Sequence, residues 1–409
     1  MTRDPRADRR LIVWLSLSQL VTWGSVFYTF ALLMEPVERT LGLGRAESSL
    51  AFSLALLAEG LGAYPVGRWI DRGHERLVMA GGSLVVGLCL VLHGFIDSLA
   101  HFYAVWTVLG LAMAATLYTP VFAVLTRRFP QDFRRAIITM TFLGGLASTV
   151  FIPLTAWLIA SFGWRHALWC LAALQFLFCF PVHAVVLRGG PRAGPAGTAR
   201  IDAASLAGHL RGAPFLLAGG FIVLMMAITA ALPAHMVSLL RESGLAEAWV
   251  IAIPAAIGVL QVFGRALLYF FERHFDLHRA NLLIPCLMPM AMATLLLALW
   301  AAPHAATLGL LLALLFVLLY GMGNGMLTIV KGTAIAQYVD REHVASLNGA
   351  LGIPLALARA AAPLALGLLW SPQAGYLYGL WLLLGVSCVA IASLLLLQRR
   401  ALAHPSQRR

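Results

Sequence analysis

The chain has 409 residues, of which 61% are hydrophobic and 11% charged, and its formal net charge is +12. A soluble domain carries about 25% charged residues, so a solvated surface over most of the chain is excluded and the composition is that of a membrane-embedded protein. Cys89, Cys170, Cys179, Cys286 and Cys388 all lie in apolar runs without a CxxC pair, which reads as buried thiols rather than disulfides or metal ligands.

The N-terminus MTRDPRADRR is basic, and the apolar run after it continues to Met34. That run is longer than a signal-peptide core and lacks a small-residue cleavage site, so it is expected to be retained as a first span. A crossing takes about 20 mostly apolar residues. On that length the chain predicts helical spans at 11–34, 48–67, 77–96, 102–126, 136–161, 165–187, 213–238, 246–270, 280–301, 305–330, 344–369 and 374–397. The expectation is an all-α membrane protein of twelve helices. Between spans six and seven, RGGPRAGPAGTARIDAASLAGHLRGAP is rich in Gly, Pro, Ala and Arg and reads as a flexible linker. It divides the chain into a six-helix bundle at 1–187, a linker at 188–212 and a second bundle at 213–409 with a short basic tail.

Loop charge sets the orientation. With both termini inside, 23 of the Lys and Arg residues fall on the cytoplasmic side, Lys331 among them, and four fall outside: Arg39, Arg45, Arg165 and Arg241. This is the positive-inside pattern. It attributes the net charge to topology and anionic lipid rather than to nucleic acid. Two cations, Arg265 and Arg359, fall within spans. The halves also echo one another: LGLAMAATLYTP (109–120) and YGMGNGMLTIVK (320–331) lie 211 residues apart. A repeated six-span half suits a carrier that holds its substrate near the midplane.

The loop after span two reads Gly67-Arg68-Trp69-Ile70-Asp71-Arg72-Gly73-His74-Glu75-Arg76. It resembles the loop 2–3 signature of the major facilitator superfamily, G-x-x-x-D-R-x-G-R-R. Gly67, Asp71, Arg72 and Arg76 match, Gly73 sits one position early, and Glu75 replaces a base. In that family the loop helps to hold the two halves together on the cytoplasmic side, which implies a gating role for these residues. TWGSVFYTFALLMEPV (22–37), FSLALLAEGLGAYPVGRWIDR (52–72) and Gln261-Val-Phe-Gly-Arg265 resemble the oxalate:formate antiporter and monocarboxylate porter branch. That resemblance implies an arginine in span eight that contacts substrate carboxylate, here Arg265. It also implies a second cation in span eleven, here Arg359 in LALARAAAP.

The polar groups at depth each have two readings. An arginine at a helix centre costs about 2.5–3.5 kcal/mol on insertion scales. A bidentate substrate carboxylate offsets that for Arg359, and so do backbone carbonyls freed by Pro354 and Pro363. Arg265 either meets substrate or snorkels to the surface, with Glu272 not far along the chain. Glu59 either carries a coupling proton, pairs with an arginine, or stays neutral. His235 is a pore-lining or proton-handling residue. Tyr28, Tyr118, Asn324 and Gln261 either orient a substrate or join helices. Trp23 covers an apolar tail or faces lipid, and His93 reads as structural. His274 and His278 lack further metal ligands nearby.

No G-x-S-x-G, HExxH or nucleotide-binding loop occurs, so neither an enzyme nor a cofactor is expected. The sequence therefore predicts a secondary transporter in a bacterial inner membrane, working as a monomer. It would move a small organic anion, with protons or a counter-anion as the coupled species, by alternating access. The alternative is proton-coupled efflux of a hydrophobic or cationic drug-like compound, for which an acidic, aromatic-lined cavity is expected.

Overall fold

A computed structural model describes residues 5–129, 133–189, 208–271, 277–340 and 344–403. Most of the linker, Glu272 and His274 lie outside these, as does the side chain of His278. The described residues form helices, with one isolated bridge between Ser371 and Gly375 in the last turn. Eleven of the helical runs are long and apolar enough to cross a bilayer. One of these, Arg45–His93, has 49 residues, about 73 Å at 1.5 Å per residue and more than twice the hydrocarbon thickness. It folds back at Gly73, whose φ of 89° is a left-handed value that suits glycine. The run therefore holds two spans, Arg45–Trp69 and Glu75–His93, which makes twelve among the described residues.

The chain divides into two compact units, Met1–Ala196 with Pro233–Ser238, and Gly197–Leu232 with Leu239–Arg409. In the first unit, span one consists of Pro5–Thr22, a π-helical turn at Trp23–Tyr28, and Thr29–Leu41. Ser18, Thr22, Ser25 and Thr29 recur at intervals of four, three and four and are all buried, so they share one helix face. Span six (Trp164–Leu174, a π turn at Gln175–Cys179, and Phe180–Val186) answers them along most of its length. Gln175 Nε2 donates to Ser25 Oγ at 2.8 Å, Thr22 Oγ1 lies 3.7 Å from Cys179 Sγ, and His183 Nε2 lies 3.0 Å from Ser18 Oγ. Ser18 donates its own proton to Leu15 O, and the other ring nitrogen, His183 Nδ1, lies 2.8 Å from Ser83 Oγ.

At the π turn of span one, the Gly24 carbonyl accepts from Thr29 Oγ1 at 2.9 Å. A polar group inside a span is costly unless it is bonded, and this face bonds neutral group to neutral group. Beside it Phe30, Phe52, Phe102 and Trp106 pack as an aromatic cluster, with His93 fully buried against Phe102, Trp106 and Trp164.

Spans two and four (Leu99–Thr116, then Tyr118–Arg128) approach so closely at Gly110 that a Cβ there would lie 2.1 Å from the Ala55 carbonyl oxygen. Gly81 in span three has open space around it. Gly110→Ala is expected to destabilise the protein by about 1–3 kcal/mol through overpacking against backbone. Gly81→Ala should leave it unchanged or slightly more stable. Thermal unfolding of the detergent-purified variants checks this; equal melting temperatures for the two would contradict the packing.

Candidate functional site

In the second unit, span eight (Glu247–Phe271) crosses span ten (Ala306–Tyr338) through small residues. Cβ atoms added at Gly321, Gly325 and Gly264 would lie 2.6 Å from Leu260 Cβ, 2.3 Å from Gln261 O and 2.8 Å from Met322 O. This close approach lets Arg265, half-buried, donate from Nε to the Gly325 carbonyl at 3.2 Å. Gln261, buried one turn earlier, packs its backbone on Gly325, and half-buried Asn324 is the adjoining residue. Three of the predicted substrate residues thus meet at one helix crossing.

Span ten does not stop where its apolar run ends. It continues to Tyr338, so Lys331 belongs to the helix and not to a cytoplasmic loop as its charge suggested. No proline interrupts the stretch, and Lys331 stands seven residues after Asn324, on the same helix face. Its Nζ lies 3.3 Å from Met226 Sδ of span seven (Ala213–Glu242). Arg359, half-buried in span eleven (Gly352–Leu369), is near enough to act on it electrostatically. The spacing of Asn324 and Lys331 was the signal available in the sequence.

The other predicted residues fall in the first unit. Tyr118 packs against Trp23, with ring centroids 4.8 Å apart, and stacks on Phe122 at 5.4 Å. Tyr28 meets Phe27 edge-on at 5.5 Å. The aromatic cluster engages Trp23 from two sides, through Phe27 and Tyr118. Glu59 is buried in span two, and His235 is fully buried with Nε2 3.4 Å from Ser49 Oγ.

In the loop after span two, Asp71, Arg72 and Arg76 are exposed, Gly67 is half-buried, and Arg76 Nε donates to the Ala184 carbonyl at 2.7 Å. The residue that replaces a base there, Glu75, is buried at the first turn of span three. Its Oε1 accepts from Arg128 Nε at 2.6 Å, and Oε2 lies 3.7 Å from Arg127 Nη1. Arg128 also donates to the Leu187 carbonyl at 2.7 Å. One carboxylate, at a helix N-terminus where negative charge is favoured, therefore ties the ends of spans three, four and six. Reading Glu75 only as a departure from the loop pattern missed this contact.

Among the described residues, twelve apolar helical spans in two units, with cations carried inside the second, define a multi-pass membrane protein. The chain belongs to the Major Facilitator Superfamily, which it matches over residues 15–326. Among curated relatives it is 32% identical over 133 residues to Monocarboxylate transporter 13 of Rattus norvegicus, covering 32% of this chain and 30% of that one. It is also 32% identical over 152 residues to Monocarboxylate transporter 11 of Mus musculus, covering 36% and 33%. The matched stretch thus spans about a third of the length of these relatives. Among solved structures, the POT family transporter PepTSo superposes with a TM-score of 0.77 at 11% identity, covering 98% of this chain and 99% of that one. The nucleoside transporter NupG superposes with a TM-score of 0.73 at 15% identity, covering 95% and 98%. These structures share the fold.

Glu75→Gln leaves two arginines facing a neutral amide in a mostly buried setting. Removing one partner of a buried ion pair costs about 3–5 kcal/mol, and the partial exposure of the arginines puts the expected loss near the lower figure. A melting temperature within one degree of the parent's would contradict the role assigned to Glu75.

Proposed function

We propose that this transporter carries a small carboxylate by alternating access, in the inner membrane of a bacterium and as a monomer. The observation that carries the reading is the sign of the charge held among apolar helices. Arg265 and Arg359 sit half-buried in spans eight and eleven, where an arginine costs about 2.5–3.5 kcal/mol. The acidic residues at the ends of spans seven and eight are engaged locally: Glu242 accepts from Trp370 Nε1 at 3.0 Å, and Glu247 accepts from Arg241 Nε at 3.0 Å. A cationic interior favours an anionic cargo, and the partial likeness to monocarboxylate transporters supports the carboxylate class.

In this reading Arg359 and Arg265 attract and orient the carboxylate. Gln261 and Asn324 supply neutral hydrogen bonds beside Arg265, while Tyr28 and Tyr118 do so from the first unit. Glu59 takes up the coupled proton, with His235 as the second group able to do so. Gly67, Asp71, Arg72 and Arg76 govern the conformational change. The loops rich in arginine face the cytoplasm.

A second reading, proton-coupled efflux of a hydrophobic or cationic compound, is favoured by the aromatic surface of Trp23, Phe27, Tyr28 and Tyr118 in the first unit. The two readings part on charge. In liposomes, the parent protein is expected to take up labelled mono- or dicarboxylates, and Arg359→Gln or Arg265→Gln to reduce initial uptake at least tenfold. Saturable uptake of organic cations with no carboxylate flux would sink the first reading. Glu59→Gln is expected to abolish stimulation by an imposed proton gradient while leaving carboxylate exchange at equal pH. Loss of both activities alike would instead assign Glu59 a structural role.

A further inference from the structure

The chain has one lysine, and the two-arginine reading leaves it without a task. Lys331 is held on span ten with Nζ 3.3 Å from the Met226 sulfur. An ammonium carries three donors, and a thioether is a weak acceptor, so this contact satisfies little of the group's demand. Among the described residues the charged group acting on it is Arg359, of the same sign. Two like charges brought together away from water repel one another. An anion placed between them is attracted by both.

Met226 completes the arrangement. Thr229 Oγ1 donates to the Met226 carbonyl at 3.1 Å and lies 3.8 Å from the sulfur; the thioether is a weak acceptor, so the ammonium can leave it for a better one at small cost. Lys331 of span ten thus meets a soft, replaceable acceptor from span seven and feels the charge of Arg359 in span eleven. Arginine offers a planar fork and lysine a compact charge on a flexible stem, so the two side chains suit the two oxygens of one carboxylate differently.

Building on the carboxylate-carrier reading, we propose that Lys331 is a cargo-binding residue that grips one carboxylate group of the substrate together with Arg359. Arg265, whose carbonyl anchor Gly325 lies six residues or about 9 Å back along span ten, remains for a separate part of the cargo.

Because Lys331 is the only lysine, it is the one side-chain amine open to acetylation. The full-length protein in detergent is treated with an N-hydroxysuccinimide acetate, and modification at Lys331 is followed by mass spectrometry. Acetate, lactate, malonate and benzoate serve as probes, with lactamide as the uncharged control, and each is also tested for a rise in melting temperature. A carboxylate that raises the melting temperature is expected to slow acetylation of Lys331 at least fivefold. Lactamide should leave the rate unchanged, and Arg359→Gln should abolish the protection. Lys331→Gln is expected to weaken binding of that carboxylate at least tenfold, with Lys331→Arg retaining most of it. A carboxylate that stabilises the parent yet leaves acetylation unchanged overturns the role of Lys331 and spares the carrier reading. If no carboxylate in the series stabilises the parent, the carrier reading falls, and this inference falls with it.

Discussion

A cation inside a bilayer has to find oxygen, and in the second unit that constraint governs how the helices meet. Arg265 reaches the Gly325 carbonyl because three glycines let spans eight and ten approach within contact of backbone. A side chain at any of them would push the helices apart and lengthen the bond from Arg265 to the Gly325 carbonyl. The helix pair and the charge thus depend on one another: the glycines exist where the arginine needs a carbonyl, and the arginine is tolerable because small residues expose one.

The first unit solves the problem of polar groups differently. Its seam between spans one and six is built of hydroxyls, an amide, a thiol and a neutral imidazole, each bonded to the next. One of its buried carboxylates, Glu75, stands at a helix end with two arginines. The second unit carries Arg265, Arg359 and Lys331 among its helices, so an anion entering there meets positive charge. If binding energy drives a conformational change, the larger difference between empty and loaded states arises in the second unit.

Much of this was legible before the structure. Span number and fold class follow from apolar run length, and the family from the loop at Gly67–Arg76. What could not be read was set by contacts far apart in sequence. Glu75 looks like a defect in a basic motif until Arg127 and Arg128, more than fifty residues on, close over it. The face formed by Ser18, Thr22, Ser25 and Thr29 is visible as a spacing, but only span six tells which side it serves. Lys331 was read as the first residue of a loop because a charge at the edge of an apolar run resembles one, whereas the helix carries it on to Tyr338. Hydropathy ends the span at the first charge, whereas helical hydrogen bonding continues until something breaks it.

The internal repeat shows what that difference does. Offset by 211 residues, Gly110 of span four corresponds to Gly321 of span ten. Both make the same kind of contact, against spans two and eight respectively. At the same offset Pro120 corresponds to Lys331. Proline lacks a backbone N–H and is tolerated in a first helical turn. Span four accordingly leaves the helix at Leu117, with ψ of −161°, and begins again at Tyr118. Span ten has no proline there, so its helix runs unbroken past Lys331 and carries the ammonium to Met226 and Arg359. One residue type at equivalent places therefore separates the halves: proline breaks span four and turns an aromatic residue, Tyr118, onto Trp23, while lysine keeps span ten whole and brings a second positive charge to span eleven.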